Sequence, residues 1–280
     1  MKHSQGKFDG PGGLSVYYQY WQPLETPTGV IMIAHGAAEH GGRYRRFAEY
    51  FVKHGFAVAA LDHPGHGQSE GGRCQIRCFA DYLSCLRQFH LLVAKDFPGA
   101  PVWLLGHSMG GLIATAYLLQ YQAELAGCIL SGAAIKTDME PGWLQNQIFR
   151  LLSAVLPGVG VLQLDAAGVS RNPQEVEIYV NDPLVYQGKL PARMVKVLFE
   201  GMHQVQANAA AITVPMLIMH GGADAMTSPE GSRYLEAHVS SKDKTLSIYP
   251  GLYHEIFNEP ERDEIFAEVL AWCQQRQQRP

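Results

Sequence analysis

Three side chains far apart in this 280-residue chain are of types that can together activate an alcohol. Ser108 sits in Gly106-His107-Ser108-Met109-Gly110, a G-x-S-x-G pattern with an apolar run before it and a helix-like stretch behind it. In a tight strand-to-helix turn the serine backbone is strained and its hydroxyl is thrust out of the sheet. Glycines flank it because larger side chains would meet neighbouring backbone. A hydroxyl is a weak nucleophile, so it needs a base, and the base needs an orienting acid. The order serine, acid, histidine along the chain is met by Ser108, Asp224 after "LIMHGG", and His254 in "YPGLYHE". Asp138, after the preceding strand, is the competing acid. A developing oxyanion needs two N–H donors. Met109 opens the helix behind the serine, and Ala37 lies in the loop after "IMIAH".

The chain has 12 histidines, more than a triad can use, so most serve elsewhere in the fold. His35 and His220 each precede a glycine at a strand end and read as structural. His107 neighbours the nucleophile and points away from the chemistry. His63 and His66 follow Asp62 in a turn and are expected to hydrogen-bond that loop, with Asp62 as a turn-stabilising carboxylate. Glu39 suggests a rival chemistry, because a carboxylate beside a serine triad can hold a free α-amino group, as in an aminopeptidase.

The elements that must position these groups are legible as apolar runs. Strand-like runs lie at 29–36, 56–62, 101–108, 127–132, 214–224 and 245–251, unbroken as central parallel strands buried on both faces are. "LSVYYQYWQP" (14–23) reads as one arm of a hairpin whose other arm lies before residue 9. Helical spacing appears between them, as at Phe79, Leu83, Leu86, Phe89 and Val93. The alternation implies a mostly parallel α/β sheet, which binds ligands beyond the carboxyl ends of its strands. Residues 136–210 break the rhythm and read as a cap inserted between two parts of the core, 1–135 and 211–280. The cap is apolar almost all round, with Trp143, Leu144, Ile148, Phe149, Leu151, Leu152, Val155 and Leu156, and with Pro157-Gly158 as a turn or hinge. Such a surface suits an acyl tunnel or transient contact with a lipid surface.

A formal net charge of −4 gives no electrostatic reason to bind nucleic acid or an anionic membrane. The five cysteines, an odd number, suit a reducing compartment better than a disulfide framework. A metal reading of Cys74 and Cys78 lacks a nearby Cys or His pair to complete it. The N-terminal stretch lacks the apolar core of a signal peptide, and no apolar run is long enough to span a membrane. The expectation is a soluble, cytoplasmic protein that can lie at a membrane surface through its cap.

The segments "AHGAAEHGGRY", "DHPGHGQSEG", "GHSMGG", "SRNPQEVEIYVNDPL" and "DKTLSIYPGLYHEIFNE" together resemble the monoacylglycerol lipases, within the broader lysophospholipase and serine-aminopeptidase-like hydrolases. The resemblance implies the α/β-hydrolase fold, a mostly parallel eight-stranded sheet flanked by helices with an inserted helical cap. It implies a Ser108, Asp224, His254 triad, an Ala37 and Met109 oxyanion hole, no metal and no organic cofactor. Glu39 and Arg43 fall at family positions that hold the glycerol hydroxyls, and the substrate is a monoacylglycerol or a similar small ester. Animal members carry a second histidine three positions after the catalytic one, where this chain has Phe257. Their cap cysteines are absent too, so thiol-directed inhibition through the cap is not expected. The alternatives left open are a lysophospholipase or general carboxylesterase, a serine aminopeptidase, and a binding protein that kept the fold without the chemistry.

Overall fold

The computed structural model describes residues 1–137 and 152–277. Its strands are β1 (Lys2–Asp9), β2 (Ser15–Gln22), β3 (Gly29–Ala34), β4 (Phe56–Leu61), β5 (Val102–His107), β6 (Gly127–Ser131), β7 (Gly160–Leu162), β8 (Leu190–Pro191), β9 (Met216–Gly221) and β10 (Lys244–Tyr249). Eight of them form one sheet in the order β1-β2-β4-β3-β5-β6-β9-β10, while β7 and β8 pair separately. β1 and β2 form the expected hairpin, closing where Asp9 pairs with Ser15. β2 runs antiparallel to β4, and every later pair in the large sheet is parallel. Their carboxyl ends therefore share one edge.

The helices are α1 (Arg45–Lys53), α2 (Phe79–Asp96), α3 (Met109–Tyr121), α4 (Pro173–Asn181), α5 (Ala192–Asn208), α6 (Pro229–His238) and α7 (Arg262–Gln277). They cover the sheet on both faces, which explains the unbroken apolar runs. Val30, Met32 and Ala34 of β3 join a core with Leu86 and Phe89 of α2, Leu112 of α3, Met194 of α5 and Leu235 of α6. Ile31 and Ile33 join the opposite core with Phe47 and Phe51 of α1 and Phe266 and Val269 of α7. Each such large apolar side chain, fully buried, contributes about 1.5–3 kcal/mol. α3 is buried on every side from Met109 to Leu118, because it lies between the sheet and helices α2 and α5. A helix so enclosed can be apolar all round, and its first turn is rigidly fixed.

Between β6 and β9 the chain leaves the large sheet. Of the cap residues singled out by sequence, Asp138, Trp143, Leu144, Ile148, Phe149 and Leu151 lie outside the described residues. Leu152 is half-buried, Val155 and Leu156 are exposed, and Pro157-Gly158 forms a turn. α4 buries Glu175 and Tyr179. α5 packs against α2 and α3 and so joins the helical layer on that face of the sheet. No helix among the described residues is long and apolar enough to cross a membrane.

Candidate active site

β5 ends at His107, α3 begins at Met109, and Ser108 between them has φ 52° and ψ −119°. That is the strained left-handed backbone an elbow requires. Both flanking glycines are enforced by contact. A Cβ on Gly110 would lie 1.9 Å from the Ala34 carbonyl oxygen, and one on Gly106 would lie 2.5 Å from the Gly110 carbonyl oxygen. The elbow is braced on its far side, where Ser108 N–H donates to Ser131 O at 3.0 Å and Ala134 N–H donates to Ser108 O at 3.0 Å.

Asp224 follows β9 and His254 follows β10, and the parallel ladder delivers both to the edge that carries Ser108. His254 Nδ1 lies 2.7 Å from Asp224 Oδ2. Of the two candidate acids, Asp224 is the one seen beside His254; Asp138 lies outside the described residues. Burial by itself would raise the Asp224 carboxyl. The charge of His254 and hydrogen bonds from His220, His254 and Thr227 N–H outweigh it and hold the group well below the carboxylate range. In His254, burial opposes protonation, yet the charge and hydrogen bond of Asp224 outweigh it and raise the imidazole above its ordinary 6.5. The result is an ionised acid beside a base of strengthened proton affinity.

His107 packs beside this base, with ring centroids 4.7 Å apart. Its Nδ1 is tied to Ser131 O at 3.0 Å, and burial next to the charge of His254 keeps its own affinity for a proton low. Its Nδ1 is thus engaged by Ser131 rather than by the nucleophile. The backbone N–H groups of Ala37 and Met109 donate to no acceptor among the described residues, and Met109 N–H is in addition the first of a helix. Among the described residues Ser108 Oγ likewise has no hydrogen-bond partner; catalytic hydrogen bonds commonly tighten only in a substrate complex.

Glu39 is almost completely buried and already engaged. Its Oε1 accepts from Gly36 N–H at 2.6 Å and from the Tyr44 hydroxyl at 2.9 Å, and its Oε2 accepts from Arg43 Nε–H at 3.2 Å. Arg43 also donates to Glu255 Oε2 at 2.5 Å and lies over the Tyr179 ring. A Cβ on Gly36 would lie 2.9 Å from Glu39 Oε1 and 3.2 Å from Ser108 Cβ, so this carboxylate sits directly behind the nucleophile's loop. Burial and then the charge of Glu255 raise the Glu39 pKa, against the pull of Arg43, Gly36 N–H and Tyr44. A cavity of about 20 Å³ lined by Glu39, Arg43, His107, Ser131, Glu255 and Phe257 lies here, room for roughly one water.

Several expectations are met and one is corrected. Asp62 stabilises its turn by accepting from Gly41 N–H and Gln68 N–H. His35 Nε2 accepts from His63 N–H, a structural role. His66 bonds its own loop through Pro64 O. The His63 ring does not: both its nitrogens are buried without a hydrogen-bond partner among the described residues, because the ring is wedged between His35 and Tyr82. Phe257 is buried against Phe47 and Phe266.

Two neighbours of the acid were missed. Thr227 donates through its hydroxyl to Asp224 Oδ2 at 2.8 Å, and its Oγ1 lies 3.3 Å from His254 Nδ1. The local signal was present, since Asp224 Oδ1 accepts Met226 N–H and Thr227 N–H in an Asp-led turn. His220, read as structural only, has Nε2 3.1 Å from Asp224 Oδ2. Nothing in its sequence surroundings marked that contact.

Residues 25–261 of this chain match a family profile described as Serine aminopeptidase, S33. The monoacylglycerol lipase of Mycolicibacterium smegmatis is 40% identical over 269 residues, covering 96% of each chain. The chain belongs to the monoacylglycerol lipase family. Human monoglyceride lipase is 36% identical over 94% of this chain and 88% of its own. The crystal structure of the Paleococcus ferrophilus monoacylglycerol lipase superposes with a TM-score of 0.81 at 29% identity, covering 99% of this chain and 100% of that one. Family membership fixes the α/β-hydrolase fold and makes the protein a hydrolase. The expected eight-stranded, mostly parallel sheet is the one observed.

Proposed function

We propose that this protein hydrolyses monoacylglycerols to fatty acid and glycerol through an acyl-enzyme. Ser108 Oγ attacks the ester carbonyl as His254 Nε2 takes its proton, and Asp224 holds the imidazolium that forms. Ala37 and Met109 N–H groups receive the carbonyl oxygen as it becomes an oxyanion. His254 returns its proton to the departing glycerol oxygen. Water, deprotonated by the same imidazole, then releases the acid. The observation that carries this reading is the 2.7 Å Asp224–His254 pair at the sheet edge where the positive-φ Ser108 stands.

Glu39 and Arg43 form the glycerol side of the site. With donors already on both oxygens, Glu39 has its remaining lone pair on Oε2 for a substrate hydroxyl. The same engagement disfavours the aminopeptidase reading, which needs a carboxylate free to bind an ammonium group. Residues 136–210 act as the cap, with α5 as the stalk that seats it on the core. The exposed Val155, Leu156 and Val159 offer an apolar face for contact with a lipid surface.

The test is Ser108→Ala assayed on mono-, di- and triacylglycerols, lysophospholipids, short esters and amino-acid anilides. Wild type is expected to turn over monoacylglycerols best. The variant is expected to lose on the order of 10⁴–10⁶-fold in kcat with unchanged melting. A variant with appreciable turnover refutes the nucleophile, and faster cleavage of anilides by wild type refutes the substrate class.

A further inference from the structure

The loop that carries His254 is held by a second carboxylate that touches neither the nucleophile nor the acid. Glu259 has no exposed surface. It stands three residues before α7, two positions outside the N-cap residue Glu261. Here only its backbone carbonyl serves that end, accepting from Arg262 N–H at 3.1 Å. The side chain turns back into the loop. Glu259 Oε1 accepts from Tyr253 N–H, the residue before His254, at 2.7 Å. Oε2 accepts from Arg171 N–H at 3.2 Å, Arg171 Nε–H at 3.2 Å and the Ser170 hydroxyl at 3.3 Å. Ser170 Oγ also lies 3.0 Å from Asn258 O.

These donors belong to two segments, the base loop and residues 170–171 just before α4. The same two segments are laced directly. His254 N–H donates to Gly168 O at 3.3 Å, and Glu255 N–H donates to Val169 O at 2.8 Å. The backbone of the base is therefore bonded to the cap segment rather than to the sheet that delivers it, and Glu259 closes this clamp at its far end. A fully buried carboxylate is costly unless its oxygens are satisfied. Charge-assisted bonds to fixed donors make it a rigid pin.

We propose that Glu259 is a positioning residue for His254, clamping the base loop to residues 168–171 so that the imidazole stays aligned between Asp224 and Ser108. The proposal rests on the reading of His254 as the general base. It accounts for an otherwise unused buried charge, and it makes this part of the cap a fixed brace of the site.

The test compares Glu259→Gln with wild type and with His254→Ala in steady-state hydrolysis of a monoacylglycerol across pH. Glutamine keeps the shape but loses the charge, and its amide N–H₂ faces donors. The expected loss is on the order of 10²-fold in kcat, as for a misplacement of about 1 Å, with KM little changed. The acid limb of kcat/KM is expected to move to lower pH, since a loosened contact with Asp224 lowers the proton affinity of the ring. The other charged and titratable groups around His254 are His107, Glu255 and Glu39, with His220 beside Asp224. Ser170→Ala, which loosens the clamp without removing a charge, is expected to move the limb the same way, so a limb that moves in Glu259→Gln but stays put in Ser170→Ala reports the lost charge and refutes the clamp. Unchanged kcat in folded Glu259→Gln beside an inactive His254→Ala overturns the assignment. So does a loss of kcat with an unmoved limb. An active His254→Ala overturns this proposal together with the reading beneath it. Should Glu259→Gln fail to fold, Ser170→Ala removes one donor and is expected to lose activity a few-fold with the limb displaced the same way. No change in either quantity then refutes the clamp.

Discussion

Two carboxylates reach the catalytic edge from opposite sides, and the protein treats them in opposite ways. Asp224, in the loop after β9, is ringed by His254, His220, Thr227 and two backbone N–H groups. Glu39, in the loop after β3, shares a single cation, Arg43, with a second carboxylate, Glu255. Asp224 is held ionised well below the carboxylate range, while Glu39 is pushed upward. Burial disfavours charge at both, so the difference lies in the surrounding charges. One region has a surplus of donors around one acid. The other has two acids around one base. The first arrangement suits an unchanging partner for an imidazolium. The second suits a structural knot that pins the Gly36 loop behind Ser108 and keeps little capacity for the substrate.

Breaking the donor-rich side should have the larger effect. Asp224→Asn is expected to lower kcat by about 10⁴-fold, because the amide favours the wrong imidazole tautomer. It also reports through pH. With neutral His254 as the proposed base, wild-type activity is expected to fall as pH drops through a value above the ordinary 6.5. Without the Asp224 charge the acid limb should move down, as a pH series of kcat/KM would show. Retention of activity in this variant, with loss in Asp138→Asn, would transfer the acid role.

On the other side, Glu39→Gln should cost roughly 10-fold in kcat/KM, the equivalent of about one hydrogen bond. The loss should be greater for glycerol esters than for p-nitrophenyl esters. Equal loss on both would make Glu39 purely a loop anchor. The variant should also alter the pH dependence of stability. A carboxyl whose folded pKa is raised contributes stability that is complete below its unfolded value and is lost as pH rises through the folded one. Chemical denaturation from about pH 4 to 7 should show that slope in wild type and a flatter one in the variant.

The smallest catalytic effect is expected at Phe257, whose ring packs between Phe47 and Phe266 at centroid distances of 5.3 and 5.8 Å. Phe257→His, which restores the residue of animal relatives, should lower stability by about 1–3 kcal/mol by placing an imidazole in an aromatic core. Thermal melting measures this. A gain in glycerol-ester selectivity without loss of stability would show instead that the position faces the head group.

The skeleton of the site was legible in the chain because its parts are local. The apolar runs and the glycines around Ser108 each follow from sterics within a few residues, and Asp224 and His254 follow strand-like runs. The parallel alternation of strands and helices then implies that these turns share one edge. Sequence also pointed to Glu39 and Arg43, though not to how fully their hydrogen-bonding capacity is spent within the protein. His220, Thr227 and Glu259 were not identified, nor was the bare ring of His63. What a polar side chain bonds to across 30 or 90 positions of chain depends on packing, and residue type alone leaves that open.

The sequence by itself determined the fold class and the glycine-flanked turn at Ser108, since periodicity and local backbone chemistry dictate them, and it carries the proposed triad in the order serine, acid, histidine. Only the tertiary structure decided which carboxylate stays charged, which is locked in a knot, and which pins the base loop. Those outcomes depend on the count and distance of charges brought together from distant segments in a medium of low dielectric constant.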